Sequence, residues 1–294
     1  MNQFNVVLSK PGACQLLLQA LEESWKNYLK ELKRCKKEFS NEAVHDLRVA
    51  TRRVMTVVQL LQAIAPRPRL QKVMRTFQDQ LDELDDLRDT QVILAEISET
   101  IHELPEFHGF QKHQQILEEK SLRSLRKKIK KFNPVLLAKR IHKAHHFLER
   151  EMDASLDHQL LQPVDDAYLI AKQRLDWVDS GRPVTIQRVG SAFRVFRCMV
   201  ELVHPLLEGF PPNNLEGMYR YQSLMEEIQD AQVFMQTLAD FFEHTSISGL
   251  ESIRHYYESR HDESVNAYIK DMNQFHHFWR PAPDQPFPWE QRGE

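Results

Sequence analysis

A chain of 294 residues, 41% hydrophobic and 28% charged, is too apolar for a disordered protein and long enough for one or two packed domains. No apolar run approaches the ~20 residues that a bilayer-spanning helix requires, so a membrane span is not expected. A net charge of −3 supplies no bulk attraction to a polyanion, so any such partner must be held by local segregation of charge.

Only 8 glycines occur and no stretch alternates apolar and polar residues, which predicts helices joined by short turns. Met1 to Lys10 lacks the basic start and apolar core of a signal peptide, so a cytoplasmic location is expected. Cys14, Cys35 and Cys198 are odd in number and widely spaced, and read as thiols of a reducing compartment.

In chain order, the spacing predicts a first helix over Ala13–Lys37, with Leu16, Leu17, Leu21, Trp25, Tyr28 and Leu32 on its apolar side. Ser40 or Asn41 caps a second helix that ends before Pro66. A third covers Leu70–His102, and a fourth runs from Phe107 to Lys131. A connecting helix follows over Val135–Leu160, then helices at Val164–Asp179, Pro183–Leu207, Pro212–His244 and Leu250–His277. The proline-rich end from Arg280 is expected to be extended or disordered.

Residues 84–92 (LDDLRDTQV) align without a gap on residues 225–233 (MEEIQDAQV), and Arg52 pairs with Arg194 when the register moves by one. An all-α protein of two four-helix bundles related by internal duplication is the expected architecture. The expected units are a bundle over 10–132, a connecting helix and second bundle over 133–278, and a disordered tail over 279–294.

Basic residues concentrate in Lys26–Lys37, Arg48–Arg53, Lys120–Lys131 and Lys139–Lys143, while acids crowd Asp79–Asp89 and Glu216–Asp230. On the second helix, His45, Arg48 and Arg52 fall within roughly a 60° arc, with Arg53 on the flank. Val44, Leu47, Val54, Val57, Val58 and Leu61 supply the packed side. Arginine suits phosphate because its planar fork gives paired, charge-assisted hydrogen bonds. The bland alternative is a solvated face whose charges pair with Asp82, Glu83, Asp85 and Asp86. Arg188, Arg194 and Arg197 on a matching second-half helix favour the functional reading. Lys120, Arg123 and Lys127, interleaved with Leu122, Leu125 and Ile129, form a basic amphipathic helix whose exposed face could equally be solubilising.

From His45 through Arg53 the sequence resembles the CHAD family, the conserved histidine α-helical domain, whose His-x-x-Arg-Val-x-x-Arg-Arg signature it matches at every named position. Arg88, Asp89 and Val92 match a later family element, and Asp230, Ala231 and Val233 its second-half counterpart. The resemblance covers about residues 10–275. It implies two four-helix bundles about a pseudo-two-fold axis, with basic residues lining a groove that binds inorganic polyphosphate and associates with polyphosphate granules. The second half departs from the pattern: Gln187 and Gly190 stand where a histidine and an arginine are usual, so the first half is expected to dominate binding. No Glu-x-Glu-x-Lys strand motif of the triphosphate-tunnel domains found in many relatives is present.

The implied binding set is His45, Arg48, Arg52, Arg53, Arg88, Lys120, Arg123, Lys127, Arg188, Arg194 and Arg197. No catalytic residue, metal or cofactor is expected. His142, His145 and His146 have i, i+3, i+4 spacing that suits a metal, but read first as a polar face. The adjacent acids Asp165–Asp166, Asp85–Asp86 and Glu226–Glu227 point ~100° apart on a helix, which suits salt bridges to arginines better than a shared reacting atom. Nucleic acid on the same basic faces is the competing partner, disfavoured by the absence of a base-reading motif. A polyphosphate-processing enzyme is a weaker alternative still.

Overall fold

The computed structural model describes residues 12–102, 107–151, 159–243 and 250–290. Nine α-helices are found among the described residues: α1 (Ala13–Glu38), α2 (Asn41–Ile64), α3 (Pro68–Thr100), α4 (His108–Lys131), α5 (Val135–Glu151), α6 (Gln162–Leu175), α7 (Val184–Val203), α8 (Asn214–Glu243) and α9 (Leu250–Asp271). The all-α fold is thus as expected, with helix limits set by local chemistry. Ser40 is the cap of α2, its Oγ accepting from the Ala43 amide at 3.2 Å. Phe39, in the left-handed conformation at φ 46°, turns the chain between α1 and α2. Pro68 opens α3, and Pro205 converts the predicted end of α7 into a 3₁₀ turn, His204–Leu206. The end of α9 likewise tightens into a 3₁₀ segment, Met272–His277.

α1, α2 and α3 pack in sequence, α4 packs on α3 and α1, and α5 packs on α1 and α3. The helix expected to connect the halves therefore packs with the first bundle, where the Cys14 thiol donates to the Leu148 carbonyl. Residues 152–158, the remainder of that prediction, lie outside the described residues. α6, α7, α8 and α9 pack in order, and α7 buries Ile186, Val189, Phe193, Phe196, Val200 and Val203 at helical spacing. The halves meet along α2–α7 and α3–α8. A separate aromatic cluster, including Phe107, Phe110, Phe234 and Tyr257, ties the ends of α3 and α4 to α8 and α9.

The tail corrects the sequence reading. Residues 279–290 are irregular but packed: Trp279 and Phe287 are buried, and Phe287 stacks on Trp289 at 4.5 Å. Trp279 Nε1 donates to Asp165 Oδ1 at 2.8 Å, and Arg280 binds both oxygens of the same carboxylate at 2.9 and 2.6 Å. Prolines prevent a helix here without preventing burial, and the aromatics between them gain by leaving water. Asp165 itself is buried, so its pairing offsets the cost of holding a carboxylate there.

Candidate functional site

α2 buries Leu47, Val54, Val58 and Leu61 and packs against α1, α3 and α7, with its arginines on the side left partly open. Between these helices lies a cleft of about 570 Å³, lined on one side by Arg48, Arg52 and Arg53 and on the other by Arg197, Cys198, Glu201 and Tyr219. Glu23, Ser24 and Asn27 of α1 form a third wall.

The arginines of the two sides are not held alike. Arg48 Nε donates to Asp85 Oδ1 of α3 in a short contact, and Arg52 reaches the other oxygen of that carboxylate at 3.4 Å. Two guanidinium groups thus share one acid. Burial, aided by repulsion from Arg48 and Arg194, pushes the Arg52 pKa down to about 10, only partly offset by Asp85. Arg52 remains charged at neutral pH, but its charge is under-compensated.

Across the cleft, Arg194 donates to Glu226 of α8 at 2.9 Å, while its Nε is buried without a hydrogen-bond partner. Arg197 is buried. It donates to Gln222 at 2.7 Å and Glu201 at 3.1 Å, and its guanidinium lies 4.2 Å from the Tyr219 ring centroid. Burial would raise the Glu226 carboxyl, but hydrogen bonds from Gln222 and Arg194 and the attraction of Arg194 and Arg88 hold it below the usual range. Asp85 and Glu226, aligned in sequence, both bind arginines of the neighbouring helix.

The remaining expected residues divide. Arg53 lines the cleft but is exposed. His45 is exposed on the same helix and is not among the cleft-lining residues. Arg88 leaves the cleft and bridges to Asp230 of α8 with paired contacts of 3.1 and 3.2 Å, tying the halves together. Burial lowers its pKa, but Asp230 outweighs this and the net direction is up. The Asp89 carboxyl beside it is raised by burial, which outweighs Arg88. Arg188 is exposed at the start of α7, where its carbonyl accepts from Arg174 at 2.9 Å. Lys120, Arg123 and Lys127 are exposed around a separate depression on α4, with Arg123 paired to Glu119 at 2.9 Å.

The departures in the second half have local causes. A Cβ at Gly190 would lie 3.3 Å from Met225 Cβ, so α7 and α8 approach too closely there for an arginine. Gln187, where a histidine is usual, donates to Gln232 at 2.6 Å. Tyr219, Cys198, Glu201 and the α1 wall line the candidate cleft and were missed by sequence reasoning. Cys198 and Glu201 follow Arg197 at one and four residues, a proximity that could have pointed to them, whereas nothing local marks Tyr219.

No curated protein matches the chain in sequence. In fold it is similar to the crystal structure of the CHAD domain from the plant Ricinus communis, with a TM-score of 0.68 at 15% identity over 92% of this chain and 96% of that one. It is also similar to PptA from Streptomyces chartreusis, with a TM-score of 0.60 at 14% identity over 90% of this chain and 99% of that one. The CHAD domain family model matches residues 19–239, and the chain therefore belongs to the CHAD family.

Proposed function

We propose that the chain binds inorganic polyphosphate, without catalysis, in the cleft between α2 and α7. The observation that carries this reading is the under-compensated pair Arg48 and Arg52: two partly buried guanidinium groups over one carboxylate, facing Arg194 and Arg197. An anion entering the cleft would relieve their mutual repulsion and accept their remaining donors. A phosphate chain suits such a site because it offers charge at a regular repeat and no side group to exclude. Association with polyphosphate granules in the cytoplasm is the setting this reading implies. The matched contacts of Asp85 and Glu226 support a common origin for the two halves.

The test is a titration of the full chain with polyphosphate of defined lengths at several salt concentrations, with duplex DNA and single-stranded RNA of matched charge as competitors. Affinity for polyphosphate should fall steeply with salt, by analogy with phosphate-backbone binding to DNA, and the nucleic acids should displace it poorly. Equal displacement would replace this reading with nucleic-acid binding. Release of phosphate in the presence of Mg²⁺ or Mn²⁺ would contradict the non-catalytic assignment.

A further inference from the structure

Four residues of α5 form a second feature, and none of them lines the α2–α7 cleft. His142 and His146 lie one turn apart on the exposed side of α5, and their Nε2 atoms face each other at 3.0 Å. The rings are inclined at 74° with centroids 4.3 Å apart. Glu149 lies 3.0 Å from His146 Nδ1, on the opposite side of the ring. With Nδ1–H donating to that carboxylate, His146 Nε2 carries the lone pair and accepts from His142 Nε2–H, whose proton a shared ion would displace. Glu149 also contacts His145, at 3.5 Å, so its position is held from two sides.

We propose that His142 and His146 form a bidentate site for a divalent transition-metal ion of the copper or nickel class, with Glu149 as a positioning residue. Two nitrogens 3.0 Å apart, each about 2.0–2.1 Å from a shared ion, subtend about 95° at it. That matches adjacent positions of a square-planar or tetragonal ion, which Cu²⁺ and Ni²⁺ prefer. Among the described residues no group of three donors is assembled, so the protein supplies two ligands and water or a bound anion supplies the others. The exposure of both rings leaves those positions accessible.

The experiment is calorimetric titration of the full chain with Ni²⁺, and electron paramagnetic resonance of the Cu²⁺-loaded protein. His142→Ala combined with His146→Ala should remove one equivalent of bound Ni²⁺ and the two-nitrogen signature of the copper spectrum, with helicity by circular dichroism unchanged. Glu149→Gln should weaken that equivalent by about tenfold, the effect of losing a carboxylate behind a ligating histidine. His145→Ala should retain it. Unchanged stoichiometry and affinity in the double variant would overturn the site. Tighter binding of Zn²⁺ than of Ni²⁺ at these residues would overturn the assigned ion class.

Discussion

Arg48 and Arg52 of α2 and Arg197 of α7 line the same cleft, with Arg194 close enough to repel Arg52, yet the two sides are balanced differently. Arg48 and Arg52 divide a single carboxylate, Asp85. Arg194 has Glu226 to itself among the ion pairs, and Arg197 has Glu201, Gln222 and the Tyr219 ring. By cations alone the two sides rank nearly equal. Once the acids beside them are included they do not: the α2 side keeps under-compensated positive charge, whereas the α7 side uses most of its charge in joining α7 to α8. A basic residue becomes a binding group or a structural one according to how many acceptors the fold has already placed beside it.

The comparison breaks most readily at α2. Arg48→Ala combined with Arg52→Ala should weaken polyphosphate binding by at least about a hundredfold, since each charge-assisted hydrogen bond contributes roughly 1.5–3 kcal/mol. Circular dichroism should show the helices retained. On the other side, Arg197→Ala should act mainly on stability. It strips the buried partner from Gln222 and Glu201, with an expected loss of about 2–3 kcal/mol in denaturant unfolding. A normal unfolding midpoint for this variant would contradict its structural role.

Restoring the family's usual residue with Gly190→Arg should not restore a binding arginine. The close approach to Met225 makes it overpacked, and a cost of about 1–3 kcal/mol is expected. Tighter polyphosphate binding at unchanged stability would mean that the asymmetry lies elsewhere.

Arg52→Leu sharpens the contrast from the other direction. The folded-state pKa of Arg52 is lowered, to about 10, so below that pH folding holds a charge that the unfolded chain accommodates more easily. Its unfavourable contribution is present at neutral pH and fades as pH rises through 10. Removing the charge should therefore raise the melting temperature of the ligand-free protein slightly while weakening polyphosphate binding. Thermal unfolding with and without ligand reads both effects.

Much of the site is legible in the sequence, where the pattern is local. The α2 face follows from the spacing of Arg48 and Arg52, and the acidic run Asp79–Asp89 does supply their carboxylate, Asp85. Arg188 could have been set aside by the same geometry. Six residues before Arg194 amounts to a rotation that places it about 120° away. The rest depends on contacts between distant segments, which no local pattern carries. Arg88 looks like any other cation until Asp230, 142 residues later, is brought to it. The tail reads as disordered because its prolines are local, whereas the Asp165 carboxylate that anchors Trp279 and Arg280 lies more than a hundred residues earlier. The α4 cations fit the expected pattern, but only the structure shows them around a separate depression rather than in the cleft.

The salt dependence of polyphosphate affinity tests the central claim most directly, measured for the parent chain, for Arg48→Ala with Arg52→Ala, and for Lys120→Ala with Lys127→Ala. If the α2 arginines neutralise the phosphates, removing them should reduce the slope of log affinity against log salt by about two, roughly one for each phosphate no longer neutralised. The α4 pair should leave the slope nearly unchanged. Equal slopes for the parent and the α2 variant, with a reduced slope for the α4 variant, would place the binding surface on α4 and contradict the account.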